Sequence, residues 1–293
     1  MTSFSPQELA TFLVYDFDHE HNIAAIQHRQ QVTKAWGIPP GSSILEIGCG
    51  QGDFTVVLAD AVGAAGRVVA VDPAPPDWGT PDYKTAHAHV LASPIGPRVT
   101  FVQEDPVSYL SGDGIGQPFD FIIFGYCIWF FAHPELLGKM LEKAHRHAKA
   151  VLIVEYSLSA SIPAQVPHLL TALTDNALES FRGEESDRNI RCALSPAQIA
   201  ASAAQAGWAL LKEETITPGE KQVEGRREVR MVVQPRLFRR DLDDVVSRVD
   251  TKVGTMLHAM VKAVEASTKL LEGGVDAVRN MDVWVARFEK PSK

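Results

Sequence analysis

The sequence predicts an α/β fold in which a mostly parallel sheet is covered by helices on both faces. Three observations carry that expectation. Short, continuous apolar runs alternate with helical segments through residues 43–155, a glycine-rich loop joins the first run to its helix, and the chain closes on a further β-patterned run. Strands that read as near-unbroken apolar runs are buried on both faces, as in parallel sheets. In order, residues 6–14 form a short helix. Ile23, Ile26, Gln30, Thr33 and Trp36 fall near helical spacing in a second, which Ile38-Pro39-Pro40-Gly41 ends. Residues 43–47 are a strand and 53–62 a helix, followed by a strand at 67–71, a helix at 83–92 and strands at 98–102 and 119–124. Pro134 suits the first turn of a helix at 135–147, and 151–155 is the next strand.

Beyond residue 155 the pattern loosens. Residues 163–181 read as an inserted helix, followed by a polar stretch at 182–191. Ser195 as N-cap and Pro196 at the first position start a helix at 197–206, which Gly207 ends. Residues 208–217 form a strand, 227–233 alternate weakly, and a long helical region runs from about residue 238. There Leu242, Val245, Val246, Val249, Val253, Met256, Leu257, Met260, Val261 and Val264 recur at three- and four-residue steps, one apolar stripe along about six turns. Residues 282–288 alternate as a closing strand. The chain thus divides into a helical start (1–40), a core (41–157), a helical insertion (158–193), a core helix and strand (194–218), a second helical insertion (219–281) and a closing strand with its tail (282–293).

Composition excludes several classes. Of 293 residues, 45% are hydrophobic and 22% charged, which is globular rather than disordered. No run approaches the roughly 18 apolar residues of a membrane span. The start, MTSFSPQELA, lacks a basic and then apolar secretory pattern, and three separated cysteines form no CxxC pair. A cytoplasmic, reducing location is expected. A net charge of −8 disfavours nucleic acid or anionic membrane as partner.

The most informative segment is Ile44-Leu45-Glu46-Ile47-Gly48-Cys49-Gly50-Gln51-Gly52. Glycine at every second position lets backbone approach a ligand beside a helix N-terminus. The dinucleotide fingerprint is not met, because the third glycine comes one residue early, and no GKS or GKT offers a phosphate grip. Asp72 ends the second strand twenty residues after Gly52, where a carboxylate can accept both hydroxyls of a ribose. Glu104-Asp105 follows the third strand, where an acid can accept from an exocyclic adenine amine.

These residues resemble the class I S-adenosylmethionine-dependent methyltransferases. Leu45 to Gly52 is similar to that family's first motif, Val71-Asp72 to its acidic second strand, Glu104-Asp105 to its adenine-contacting position and residues 119–124 to its fourth strand. The resemblance covers residues 32–216 and the closing strand. Asp72-Pro73-Ala74-Pro75-Pro76, Cys127-Ile128-Trp129-Phe130 and Met281-Asp282-Val283-Trp284 look most like fungal methyltransferases of small-molecule, secondary-metabolism type. The resemblance implies a Rossmann-like, doubly wound, mostly parallel seven-stranded sheet with the last strand antiparallel, plus helical cap insertions. It implies S-adenosylmethionine as cofactor and S-adenosylhomocysteine as product. Gly48 and Gly50 would lie against the methionine part, Asp72 would hold the ribose and Asp105 the adenine. Glu46, Cys49, Gly52, Pro73, Glu104, Tyr126 and Cys127 would complete the site, and Arg29 and Gln30 would meet the cofactor's carboxylate.

Methyl transfer from a sulfonium is an in-line displacement that asks the protein mainly to align the partners and exclude water. A base is needed only where the acceptor must lose a proton first. His133, after the fourth strand, is placed as such a base, and Tyr15 or His21 could face the substrate from an N-terminal lid. Trp129 and Phe130 read either as core or as walls of an acceptor pocket. Glu155 and Tyr156 end the fifth strand, where a buried glutamate either contacts a cationic amine or holds backbone. Met256 and Met260 would line an adaptable cap over the acceptor. No metal site is expected, since two histidines at i and i+2 do not share a helix face. The leading expectation is methylation of O, N or S of a small, partly apolar metabolite by a monomer or homodimer. The rivals are a protein or RNA methyltransferase and a cofactor-binding non-transferase, such as a partner subunit or a pericyclase-like catalyst.

Overall fold

The computed structural model describes residues 3–14, 19–112, 115, 117–182, 186, 188–234 and 237–291. The chain opens with α1 (Pro6–Ala10) and α2 (His19–Trp36). Ser5 caps α1 with a reciprocal Glu8 bond, and the helix ends at Ala10, four residues short of the expected 6–14. The core alternates β1 (Ser43–Ile47), α3 (Thr55–Val62), β2 (Arg67–Asp72), α4 (Tyr83–Ala92), β3 (Val99–Gln103), α5 (Pro106–Tyr109), β4 (Phe119–Gly125), α6 (Glu135–His147) and β5 (Ala148–Tyr156). Then come α7 (Val166–Glu179), α8 (Pro196–Gln205), β6 (Ala209–Ile216), α9 (Glu224–Val233), α10 (Leu237–Val246), α11 (Thr251–Lys269) and β7 (Val283–Glu289).

The seven strands form one sheet in the order β3-β2-β1-β4-β5-β7-β6. β7, the last strand in sequence, runs antiparallel to both β5 and β6, and the other pairings are parallel. The strand order reverses between β1 and β4, and a ligand crevice forms outside the carboxyl ends of strands at such a reversal. Ile47 pairs with both Val71 and Phe124, so β1, β2 and β4 end level there. One face of the sheet packs under Leu137, Leu141, Ile199 and Trp208 on the α6 and α8 side. The other packs against Leu9, Ile26, Val32, Trp36 and Leu58 on the α1–α3 side. Trp36 stacks on Phe54 and donates its Nε1–H to the Ala286 carbonyl, which seats α2 along β7.

The second insertion departs from the expected pattern. Residues 227–233, read as weakly alternating, belong to helix α9, because Val229 and Val232 share its buried face. The expected single long helix is two. Asp250 accepts from the Lys252 amide and starts α11 afresh after α10. The stripe therefore folds back on itself. Leu242 and Val245 of α10 meet Leu257, Val261 and Val264 of α11, together with Leu178 of α7 and Val229 and Val232 of α9. Gly254 permits the close crossing, since a Cβ there would lie 3.2 Å from a Val246 methyl. The insertion thus packs on the first insertion. Among the described residues no helix is long and apolar enough to cross a membrane.

Candidate active site

A cavity of about 640 Å³ opens at the carboxyl ends of the strands and runs from the glycine loop towards α9 and residues 188–191. At the first end the wall is largely backbone. Gly48, Gly50 and Gly52 take φ of 71°, 54° and 98°. A Cβ on Gly48 would stand 2.6 Å from the Cys127 Cβ, so the two loops touch only because that position is glycine. Asp72 fixes both neighbouring loops. Its Oδ2 accepts from the Gly50 amide at 2.9 Å and its Oδ1 from the Ala74 amide at 3.0 Å. His87 stacks on Phe101 with ring centroids 3.7 Å apart and donates Nε2–H to the Gly50 carbonyl. Asp105 caps α5 through the Ser108 amide and faces the cavity.

Behind the glycines, Glu46 is buried and accepts from the Thr55 hydroxyl at 2.6 Å. Burial pushes its carboxyl up to about 8, and the Thr55 bond only partly opposes this. Arg29, from α2, stands 3.7 Å from Asp53. The Arg29 Nε and the Asp53 Oδ1 are buried atoms with no hydrogen-bond partner among the described residues. An amino-acid head group needs a cation for its carboxylate and an acid for its ammonium. Arg29 and Asp53, with spare polar atoms beside the glycine loop, suit both, and Asp72 and Asp105 lie further along for a nucleoside. The residues present fit S-adenosylmethionine.

The other end is walled by side chains. Tyr126, at φ 56°, reaches His28 of α2 through its hydroxyl. Burial, helped by Arg29, pushes His28 down to about 4. The ring centroids of Tyr126 and Trp129 each lie 5.5 Å from that of Tyr156. Trp129 donates Nε1–H to the Leu194 carbonyl, and its own carbonyl accepts from the amides of Arg191 and Cys192. Glu155 is buried, with one oxygen accepting from the Ile128 amide and the other from the Tyr156 amide. Burial nonetheless pushes its carboxyl up to about 8.

Two further carboxylates, Glu224 and Glu228, enter from α9 one turn apart, and both line the cavity. Glu224 accepts from the Asn280 amide at 2.9 Å and lies 3.7 Å from His21 Nε2. Burial raises the Glu224 carboxyl, but His21, the Asn280 bond and Arg29 together leave it below its ordinary value. Glu228 lies 2.9 Å from His168 Nε2. The Met281 amide donates to His168 Nδ1, so the proton of this imidazole sits on Nε2 and points at Glu228.

The comparisons with known proteins decide the family. The profile of the methyltransferase domain matches residues 19–213, two thirds of the chain. The chain belongs to this methyltransferase family. Methyltransferases phomM' and phomM of the fungus Diaporthe leptostromiformis are each 28% identical over 94% of this chain and 87% of their own length. The cyclopropane-fatty-acyl-phospholipid synthase-like protein from Lactobacillus casei ATCC 334 shares the fold, with a TM-score of 0.78 and 24% identity over 97% of this chain and 98% of that one. The protein is an S-adenosylmethionine-dependent methyltransferase, similar to fungal enzymes of small-molecule type.

In this methyltransferase, Glu46, Gly48, Cys49, Gly50, Asp72, Pro73, Asp105 and Arg29 come together at the backbone-walled end, as the sequence places them. Tyr126, Cys127, Trp129, Phe130, Glu155 and Tyr156 line the other. Seven expected residues do not line the cavity. Gly52 turns towards β3, where a Cβ would lie 3.3 Å from the Phe101 ring. Glu104 is exposed, and the N-cap position goes to its neighbour Asp105. Gln30 is half-buried on α2 away from the cavity, one position past Arg29, because adjacent helical residues diverge by about 100°. His133 is exposed beside the start of α6 and is not part of the cavity wall. His21 lies behind Glu224 rather than on the wall. Met256 is exposed and Met260 half-buried, since the buried face of α11 carries Leu257 and Val261 instead. Tyr15 lies outside the described residues.

Sequence reasoning missed His28, Asp53, Glu224, Glu228 and Asn280. The i, i+4 spacing of the two glutamates was available as a signal, but only once residues 224–233 are read as a helix.

Proposed function

We propose that the enzyme transfers a methyl group from S-adenosylmethionine to O, N or S of a small, partly apolar metabolite. The observation that carries this reading is the single continuous cavity, with glycine-loop backbone at one end and Tyr126, Trp129 and Tyr156 at the other. Arg29 would take the cofactor's carboxylate, Glu46 and Asp53 its ammonium, Asp72 its ribose and Asp105 its adenine. The bound cofactor supplies a methyl already activated by the sulfonium charge. The chain's work is then alignment and the exclusion of water. Tyr126 and Cys127, on the loop that touches Gly48, stand where the two ends meet. Residues 1–40 and 219–281 would roof the acceptor end, the first through His28 and the second through α9 rather than α11. The likeness to the fungal phomM enzymes supports a role in secondary metabolism. Incubation with methyl-labelled cofactor and a panel of small acceptors tests the reading, with cofactor affinity measured by calorimetry. Transfer of label to a small acceptor is the expected result. Tight cofactor binding with no transfer to any acceptor would return the protein to the non-transferase alternative.

A further inference from the structure

We infer that the acceptor is a cationic amine, held by the Glu224–Glu228 pair of α9 against the faces of Tyr126, Tyr156 and Trp129. This rests on the transferase reading above and names its substrate class.

Glu155 stood closest to the sequence expectation of an amine contact, yet both its oxygens are taken by the amides of Ile128 and Tyr156. Those two bonds tie Glu155 to the backbone of the cavity wall. The cations at this end are also committed. Arg188 bridges Asp175 and Asp241 at 2.8 Å each, and Arg191 stands 3.6 Å from Glu179. Arg29 faces Asp53 at the cofactor end. The carboxylates of Glu224 and Glu228 remain.

Their hydrogen-bond donors are uncharged, and Arg29 with His21 adds a favourable field at Glu224. Asn280 is an uncharged amide, and its Nδ2 links Glu224 to the Tyr156 hydroxyl, 3.5 Å away. His168 donates from Nε2 while Nδ1 accepts the Met281 amide, so it meets Glu228 as a neutral imidazole. Burial keeps His21 below its ordinary range, against the pull of Glu224. Two half-buried carboxylates one helical turn apart on the cavity wall give a cation two anionic partners on one helix face. The aromatic wall suits the same ligand, because a ring face attracts an ammonium.

The proton inventory agrees. An alcohol would need a base to remove its proton before or during attack. His133 is exposed and off the cavity wall, Nε2 of His28 is engaged by the Tyr126 hydroxyl, and Nδ1 of His168 is occupied. An amine needs only a carboxylate. The ammonium gives one proton to Glu228, and the freed nitrogen lone pair attacks the methyl carbon. The N–C bond forms as the C–S bond breaks, its electron pair returning to sulfur as a neutral thioether. The positive charge passes to the methylated nitrogen, and the proton on the glutamate leaves to solvent.

The test uses the full chain and two readouts. Phenethyltrimethylammonium, which cannot be methylated, probes the cation site by calorimetric titration in the presence of S-adenosylhomocysteine. 2-Phenylethylamine, 2-phenylethanol and 2-phenylethanethiol, matched in skeleton, probe transfer. The quaternary cation should bind the wild type, and Glu224→Gln and Glu228→Gln should each weaken it about tenfold, the scale of one lost contact to a charged group. Only the amine should be methylated, with KM raised in both variants and cofactor affinity unchanged. A quaternary cation that fails to bind the wild type, or binds both folded variants equally well, would overturn the inference. So would methylation of the alcohol or thiol as fast as the amine. Glutamate-dependent binding of the cation without methylation of any acceptor would leave the cation site standing and sink the transferase reading instead.

Discussion

The two ends of the cavity are built from different materials. At the cofactor end, contiguous stretches at the ends of β1 and β2 present amides, carbonyls and glycines, and Asp72 ties them together with two backbone hydrogen bonds. At the acceptor end, side chains converge from α2, the β4 loop, β5, α9 and Asn280, with His28 and Asn280 252 positions apart in sequence. A wall made of backbone has one shape, set by the sheet beneath it. A wall made of side chains can be recut residue by residue without disturbing the strands. The difference separates what every member of such a fold must keep from what each can change.

Substitutions can break or sharpen that contrast. The largest effect is expected from Gly48→Val. Its Cβ would collide with the Cβ of Cys127 in a φ region that valine avoids, so cofactor affinity should fall by on the order of 100-fold or more. Calorimetric titration of the folded variant checks this, and near-normal affinity would show that the backbone wall is less rigid than argued. Asp72→Ala removes a carboxylate that holds two amides and is placed to meet the ribose. A loss of ~1.5–3 kcal/mol in cofactor binding is expected, the range for a hydrogen bond to a charged group.

A third effect is shared, because each end carries one buried carboxylate pushed up to about 8, Glu46 and Glu155. Between their ordinary value near 4.5 and about 8, the folded state keeps protons that the unfolded state has lost. Stability is therefore lost as pH rises through that window. His28, pushed down to about 4, acts in the opposite sense, but only below about 6.5, where an ordinary histidine titrates. From pH 6.5 to 8 the melting temperature of the cofactor-free protein should fall, with each carboxylate contributing ~1 kcal/mol. A melting temperature that rises across this interval would contradict the assignment. The smallest effects are expected at Met256→Ala and His133→Ala. Both sites are exposed and off the cavity, so stability should move by less than ~0.5 kcal/mol, with turnover and acceptor preference unchanged. A shift in acceptor preference in either variant would extend the side-chain wall beyond the residues described.

Legibility followed the same division. Gly48, Gly50 and Asp72 could be placed from sequence because each lies next to the strand that positions it, and the strands announce themselves as apolar runs. His28 and Glu224 could not, because nothing local marks which face of a helix will meet a cavity assembled from distant parts. The stripe from Leu242 to Val264 misled for a related reason. Its three- and four-residue steps continue through the break, and only the Asp250 N-cap shows that two helices share it. His133 was correctly placed before Pro134, but the direction of its side chain depends on how α6 packs. Glu155 was read as buried, and its bonds to the amides of Ile128 and Tyr156 depend on a β4 loop that strand position alone does not reveal.

Trp129 carries a consequence for timescale. Its backbone carbonyl and indole together receive or make three hydrogen bonds with residues 191–194, a stretch that is neither helix nor strand. Such stretches usually exchange their amide hydrogens quickly, because small local openings suffice. Here the amides of Arg191 and Cys192 are fastened to a residue rooted at the end of a central strand, and can be released only when the β4 loop itself lets go. In deuterium they should persist with the slow amides of the sheet, and fade with them.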